Sequence, residues 1–410
     1  MALIVSKFGG TSVGTPDHIR RVAARLVRSR KEGNQVLAVV SAMGDTTDDL
    51  MSLALSVTPD PRRRHPRELD MLLTSGERIA MALTAMAIAD LGVDAISLTG
   101  SQAAIITDET HTGARITEVR TERLREELDA GRIVIVAGFQ GVSRTHEVTT
   151  LGRGGSDTTA VALAAALRAD RCDIYTDVDG VFTADPRSVK DARMIPEIDY
   201  EEMIELASAG ARVMHPRAVE IGARFNVPIR VLSSFRDNDV IGTLITKRTD
   251  MEQVALTGLA SQKGYARLVL HGVPANLDAM GALLTALAAN GVSVDFFNYA
   301  DSLDGVRQLQ VTIPQDDAET AGKVARDILG EGGLRDIEVR SDLSRVTLVG
   351  GGMAGIPGVY ARAVEALRGE NIDIYGFSTS AMSISVLVDA EKEERTLQLL
   401  HTAFDLSAAG

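Results

Sequence analysis

The chain has 410 residues, 45% of them hydrophobic and 24% charged, and its 43 basic and 56 acidic side chains give a net charge of −13. Two or three domains are predicted from that length, and the acidic balance argues against a nucleic-acid binder, whose phosphate contacts need basic surface. Cys172, the sole cysteine, excludes an internal disulfide or a cysteine metal cluster; with no apolar run of about 18 residues and no signal-like leader, a cytoplasmic protein is expected.

In chain order, "ALIV" is the first predicted strand, followed by a glycine turn and a helix with Thr15 as cap and Pro16 at its first position. Ile19, Val22, Ala23, Leu26 and Val27 share one face of that helix, and Gly33 ends it. "QVLAVVSAM" is a buried strand, "DMLLTSGERIAMALTAMAIADLG" a helix, and "DAISLTG" and "RIVIVAGF" further strands. "SDTTAVALAAALRAD" then reads as helix and "CDIYTDV" as strand. The alternation predicts a three-layer αβα domain with a largely parallel sheet over residues 1–245, its ligands at the carboxyl ends of the strands. The basic cluster "RRRHPR", Arg62 to Arg67, reads as a solvated loop.

From about residue 255 a shorter pattern occurs twice. "ARLVLHGV", "LDAMGALLTALAANG", "VSVDFF", "RQLQVTIP" and a helix from about Asp316 form the first copy. "SRVTLVGG", "GVYARAVEALRGEN", "IDIYGF", "SISVLVD" and "EKEERTLQLLHTAF" form the second. Each is a βαββα unit of about 70 residues, too small to be robust alone, so pairing between copies or between chains is expected.

Four glycine and hydroxyl clusters lie where the first domain's strands end. In "KFGGTS", Gly9 and Gly10 allow close approach of an anion, and Lys7 adds a mobile charge suited to a phosphoryl group in transfer. "SAMGDTTDDL" supplies the hydroxyls of Ser41 and Thr47 around Gly44, though a capped loop explains it equally. "TLGRGGSDTTA" sets Arg153 among glycines, fit to grip a carboxylate in bidentate fashion, with Ser156 as helix cap. Asp157 there is a capping residue or the partner of a lysine such as Lys7. In "YTDVDGVFTADPR", Thr176, Asp177 and Arg187 suit a nucleotide. No Ser-His-Asp or zinc spacing competes, and a lysine, an arginine and several helix starts without a paired base fit phosphoryl transfer, with a metal bridging the phosphates.

In order and spacing, "KFGGTSV", "SAMGDTTD", "TSGER", "VAGFQG", "TTLGRGGSDTTA" and "YTDVDGVFTADPR" resemble the aspartate kinases of the amino-acid kinase superfamily, and the repeats resemble their two βαββαβ ACT domains. The resemblance places those domains at 255–340 and 341–410, the second borrowing a strand from 252–262. It implies transfer of the γ-phosphoryl of Mg-ATP to the side-chain carboxylate of L-aspartate, the step that opens lysine, threonine, methionine and diaminopimelate synthesis. Carried over by motif, Lys7, Phe8, Gly9, Gly10 and Ser41 meet the nucleotide, as do Thr176, Asp177, Phe182, Arg187, Arg212 and Val213. Thr47, Glu77, Arg153, Gly154, Gly155 and Ser156 form the aspartate site, Arg153 taking a carboxylate and Glu77 the ammonium, while Asp157 orients Lys7. The acceptor carboxylate is already ionised at neutral pH, so no general base is required.

Three departures from the family pattern stand out. Arg212 in "GARVMHP" replaces an expected lysine, "HGVPANLDAMG" lacks the Pro-Gly turn of the first ACT helix, and Ala381 in "STSAMSIS" replaces an acid. Pro357-Gly358 keeps the turn in the second copy. Weakened feedback by threonine and lysine is therefore expected, with the ACT pair kept mainly for assembly as a homo-oligomer. A heterotetramer with a short subunit begun at Met251 is the other arrangement the resemblance allows. The alternative readings are an acetylglutamate or glutamate 5-kinase and a non-catalytic amino-acid sensor.

Overall fold

The computed structural model describes residues 1–236, 242–248, 256–274, 277–301, 306–330, 334–351, 353 and 358–407. Met251, proposed above as an internal start, and Pro357 lie outside them, as do residues 275–276 of the first repeat. The chain forms two compact units, Met1–Phe182 with Met194–Met251, and Thr183–Arg193 with Glu252–Gly410.

The first unit is built on β1 (Leu3–Phe8), β2 (Gln35–Val40), β3 (Ala95–Leu98), β4 (Ile105–Thr107), β5 (Ile116–Val119), β6 (Ile133–Ala137), β7 (Gln140–Ser143), β8 (Val148–Thr150), β9 (Arg171–Thr176), β10 (Glu197–Ile198), β11 (Ile229–Ser233) and β12 (Gly242–Ile245). Eight of these form one sheet in the order β10-β12-β11-β9-β1-β2-β6-β3, parallel throughout except where β11 meets β12. Leu37–Val40 and Ile133–Ala137 are fully buried, as the continuously apolar sequence of a parallel sheet covered on both faces requires. The helix Pro16–Lys31 buries the predicted face Ile19, Val22, Ala23, Leu26 and Val27. Each Ile, Val and Leu side chain there contributes about 1.5–3 kcal/mol. Thr15 Oγ1 accepts from His18 N at 3.2 Å, completing the cap. The helix Gly155–Leu167 is buried on every side, which is why its sequence is apolar all round.

The periodicity did not reveal the second sheet of this unit, β5-β4-β7-β8. Two of its strands have three residues each, too short for alternation to register. The helices Pro66–Leu73 and Ser75–Ala89 meet at Thr74 and together are long and apolar enough to cross a membrane by length and composition. They nonetheless carry buried Asp70 and Glu77, and Leu69, Leu73, Ala80 and Ile88 are buried in the same unit.

The second unit contains β13 (Leu256–Pro274), β14 (Phe296–Asp301), β15 (Val306–Pro314), β16 (Asp336–Gly350), β17 (Gly376–Thr379) and β18 (Ser383–Asp389). All six join in one antiparallel sheet, β14-β15-β13-β16-β18-β17. Each repeat therefore lacks a sheet of its own. β13 and β16 pair from Leu256↔Gly350 to His271↔Asp336, so the amino-terminal half of β13 completes the second copy. The helices Leu277–Ala289 and Ala318–Leu329 cover one half of the sheet, and Val359–Leu367 and Glu393–Ala403 the other. Gly358, at φ +95°, starts the helix of the second copy, and Ala381 is exposed between β17 and β18.

Thr183–Arg193, read from sequence as part of the first domain, groups instead with this second unit. Ala184 and Val189 are buried in its core, Leu259 N donates to Thr183 O at 2.7 Å, and Thr183 Oγ1 lies 2.9 Å from His401 Nε2.

Candidate active site

β1 sits at the centre of the parallel sheet, and alternation along it sends Lys7 and Phe8 to opposite faces. Phe8 is fully buried, its ring stacked 4.7 Å from that of Tyr175, which Arg25 covers at 4.6 Å. The expectation that Phe8 meets nucleotide is thus corrected for its side chain, which is core; its carbonyl accepts from Ser41 N. Lys7 projects toward the helix Gly155–Leu167, where Nζ lies 2.8 Å from Asp157 Oδ1 with both side chains nearly buried.

The residues predicted for aspartate, with Gly10 and Ser41, converge around that pair. A cavity of about 330 Å³ is lined by Lys7, Gly10, Ser41, Thr47, Glu77, Arg153, Gly154, Gly155, Ser156 and Asp157. Ala42, Gly44, Phe139 and Gly152 line it as well and were not assigned from sequence. Gly44, Gly152 and Phe139 all have positive φ, and Phe139, at 68°, is the one that is not glycine. The turns after β1 and β2 are locked by Gly44 N donating to Gly10 O at 3.0 Å.

The Arg153 loop owes its shape to Gly154. Its φ is +70°, and a Cβ there would lie 2.3 Å from the His215 Cβ and 2.4 Å from its ring, so only glycine fits. Gly154, not Ser156, caps the helix; Ser156 falls inside the first turn, a correction to the predicted cap. Arg153 is exposed at the cavity mouth, its guanidinium without an ion pair among the described residues.

Glu77 stands in the first turn of the helix Ser75–Ala89 and is 3% exposed. Ala42 N donates to its Oε1 at 3.3 Å, while Oε2 is buried without a partner. Burial pushes its carboxyl up to about 7, against the smaller opposing effect of backbone donors. A buried carboxylate with one free oxygen facing a cavity is suited to a cation that arrives with a ligand.

The predicted nucleotide residues divide. Gly9 N donates to Tyr175 O, Ser234 N to Thr176 O and Thr176 Oγ1 to Asp177 Oδ1, so Gly9, Thr176 and Asp177 share the carboxyl edge of β1, β9 and β11. Phe182 pairs with Met194 in a short bridge. Arg212 is exposed and Val213 half-buried in the turn before the helix Pro216–Phe225, and neither lines the cavity. Arg187 lies in the segment that groups with the second unit and is held by Asp185.

No cluster of three or more His, Cys, Asp or Glu side chains among the described residues could hold a metal ion unaided. Together the geometry offers a charged pair at the end of a central strand, a free arginine and a buried carboxylate around one polar hollow.

Comparison with known proteins agrees with that reading. Residues 2–233 match the amino acid kinase family and residues 346–404 the ACT domain. The chain is 46% identical to the aspartokinase of Corynebacterium efficiens and 47% identical to that of Mycolicibacterium smegmatis, over 99% of this chain and 97% of each relative. Among solved structures, E. coli aspartokinase III in complex with aspartate and ADP (R-state) is similar at TM-score 0.83 and 27% identity, over 98% of this chain and all of that one. The same enzyme with lysine and aspartate (T-state) gives TM-score 0.75 at 27% identity, over 98% and 99%.

Proposed function

The chain belongs to the aspartokinases of the amino acid kinase family and phosphorylates L-aspartate from ATP, and from that premise we propose how its residues divide the work. Arg153 takes a carboxylate of aspartate in bidentate fashion, and the free oxygen of Glu77 takes the ammonium. Thr47 and Ser156 border the same hollow, with the backbone of Gly154 and Gly155. The acceptor carboxylate then points at Lys7, whose charge stabilises the phosphoryl group as it moves between oxygens. Asp157 holds Lys7 ready and is not itself a base. Gly9, Gly10, Ser41, Thr176 and Asp177 form the nucleotide side, at strand ends where a phosphate finds backbone donors. Magnesium is expected with the nucleotide, where it would neutralise phosphate charge.

The carrying observation is the convergence of Lys7, Glu77 and the Arg153–Asp157 loop on one cavity from three separate stretches of chain. Arg153→Lys keeps the charge but loses the fork, and is expected to raise KM for aspartate by about 10- to 100-fold while leaving KM for ATP unchanged. Steady-state kinetics with each substrate varied decides it, and equal loss on both substrates would remove Arg153 from the aspartate side.

The product, 4-phospho-L-aspartate, feeds lysine, threonine and methionine synthesis in the same reading, in the cytoplasm. Feedback through the ACT region is weakened in it, because Ala381 offers an effector ammonium no carboxylate. Turnover titrated with threonine, lysine and both should fall little at sub-millimolar effector, and strong inhibition there would refute weakened feedback. An oligomer is expected, since β14 and β17 leave two open sheet edges. Native mass spectrometry reads the assembly, and a monomer would contradict it.

A further inference from the structure

Thr112 is β-branched yet has a φ of +61°, a left-handed conformation that such residues rarely adopt. What holds it there is Asp70, a fully buried carboxylate on the helix Pro66–Leu73. Thr112 N donates to both Asp70 oxygens at 3.1 Å, Thr150 Oγ1 donates to Oδ1 at 2.6 Å, and His111 Nδ1 lies 2.8 Å from Oδ2. One carboxylate therefore ties together a loop and the end of β8, which lie 41 and 80 residues further along the chain.

Both lead to the aspartate side of the cavity. Thr150 precedes Arg153 by three residues, and Ala114 N donates to Thr150 O at 2.9 Å. Gly152 packs against Thr112, a Cβ there falling 3.1 Å from Thr112 O. Arg217 braces the same two segments from another side, donating to Leu151 O at 2.8 Å and to Ala114 O at 2.9 Å. Asp70 also stands seven residues before Glu77, about 10 Å along the same helical run.

We propose that Asp70 is a positioning residue for aspartate: it fixes the Arg153 loop against the helix Pro66–Leu73, which runs on through Thr74 into the helix that carries Glu77, and so sets the spacing between the group that grips carboxylate and the group that grips ammonium. The inference rests on the assignment of Arg153 and Glu77 to aspartate. Asp70 touches no substrate and acts through Thr112, Thr150 and Gly152. A change in that spacing falls on aspartate affinity first, because the nucleotide residues stand at the ends of β1, β2 and β9, whereas the Asp70 carboxylate bonds to Thr112, Thr150 and His111.

Asp70→Asn keeps an acceptor but loses the charge and one oxygen, and is expected to raise KM for aspartate by about 10- to 100-fold with KM for ATP unchanged. Thr150→Val should shift KM in the same sense and Thr150→Ser restore it, which keeps the test open if Asp70→Asn fails to fold. The double variant Asp70→Asn with Thr150→Val should cost less than the two single effects combined. Wild-type KM for aspartate in folded Asp70 and Thr150→Val variants would overturn the proposal, as would a loss shared equally by both substrates. A lowered melting temperature with unchanged KM would show a merely structural role and overturn it too. Arg153→Lys measured alongside separates the two claims: if it leaves KM for aspartate unchanged, the site assignment fails, whereas if it raises that KM and the Asp70 series does not, only the positioning role fails.

Discussion

Lys7→Met is expected to lower kcat by about 10³-fold, because in the proposed division of roles it removes the positive charge that follows the phosphoryl group. Aspartate affinity should change little, since Arg153 and Glu77 remain. The substitution also strands Asp157, whose side chain is 11% exposed and whose ion-pair partner is Lys7. Loss of a nearly buried partner costs about 3 kcal/mol, so a fall in melting temperature accompanies the fall in rate. The double variant Lys7→Met with Asp157→Asn separates these effects. It should recover most of the stability and none of the turnover. Recovery of turnover together with stability would mean that Lys7 serves the fold and not the chemistry.

Glu77→Gln should move stability and affinity in opposite directions. The Glu77 carboxyl is held at about 7 by burial, against an ordinary value of 4.5. Below pH 4.5 it is protonated whether the chain is folded or unfolded, and its burial carries no ionisation cost. As pH rises from 4.5 to 7 the unfolded chain ionises first, so stability is lost through that window and the deficit is complete above pH 7. The deficit reaches about 3 kcal/mol at most. Glu77→Gln escapes it and should melt higher than the parent at pH 8, with the difference closing by pH 4.5. KM for aspartate should rise by about 10- to 100-fold through loss of the charged partner. In the parent, KM for aspartate should fall as pH rises through 7, because the ammonium needs the ionised carboxylate, and in Glu77→Gln that slope should vanish. A parent KM flat across pH 7 would contradict the pairing.

The cavity was legible where the chemistry is local. Lys7 ends an apolar strand beside two glycines, and Arg153 sits among three, so each declares a turn with a charge in it. Glu77 was reached only through the resemblance of "TSGER", since one acid in an apolar helix looks like any exposed residue until its burial is known. Asp70 was invisible for a further reason. Its partners Thr112 and Thr150 come from short strands and loops whose pairing is set by tertiary contacts, and no spacing along the helix encodes them. The long β13 was read as two strands, one over 252–262 by resemblance and one from Ala266, because the polar run Ser261–Lys263 interrupts the apolar pattern where the strand passes from one repeat to the other. Arg187 was read with the nucleotide residues of the first domain. Only the burial of Ala184 and Val189 shows that the segment is packed elsewhere.

A crystal structure of the protein with aspartate and a non-hydrolysable ATP analogue tests the central claim most directly. One carboxylate of aspartate should lie on the Arg153 guanidinium, its ammonium on Glu77 Oε2, and the other carboxylate in line with the γ-phosphoryl beside Lys7 Nζ. Aspartate bound away from Arg153 and Glu77, or a γ-phosphoryl out of reach of Lys7, would contradict it.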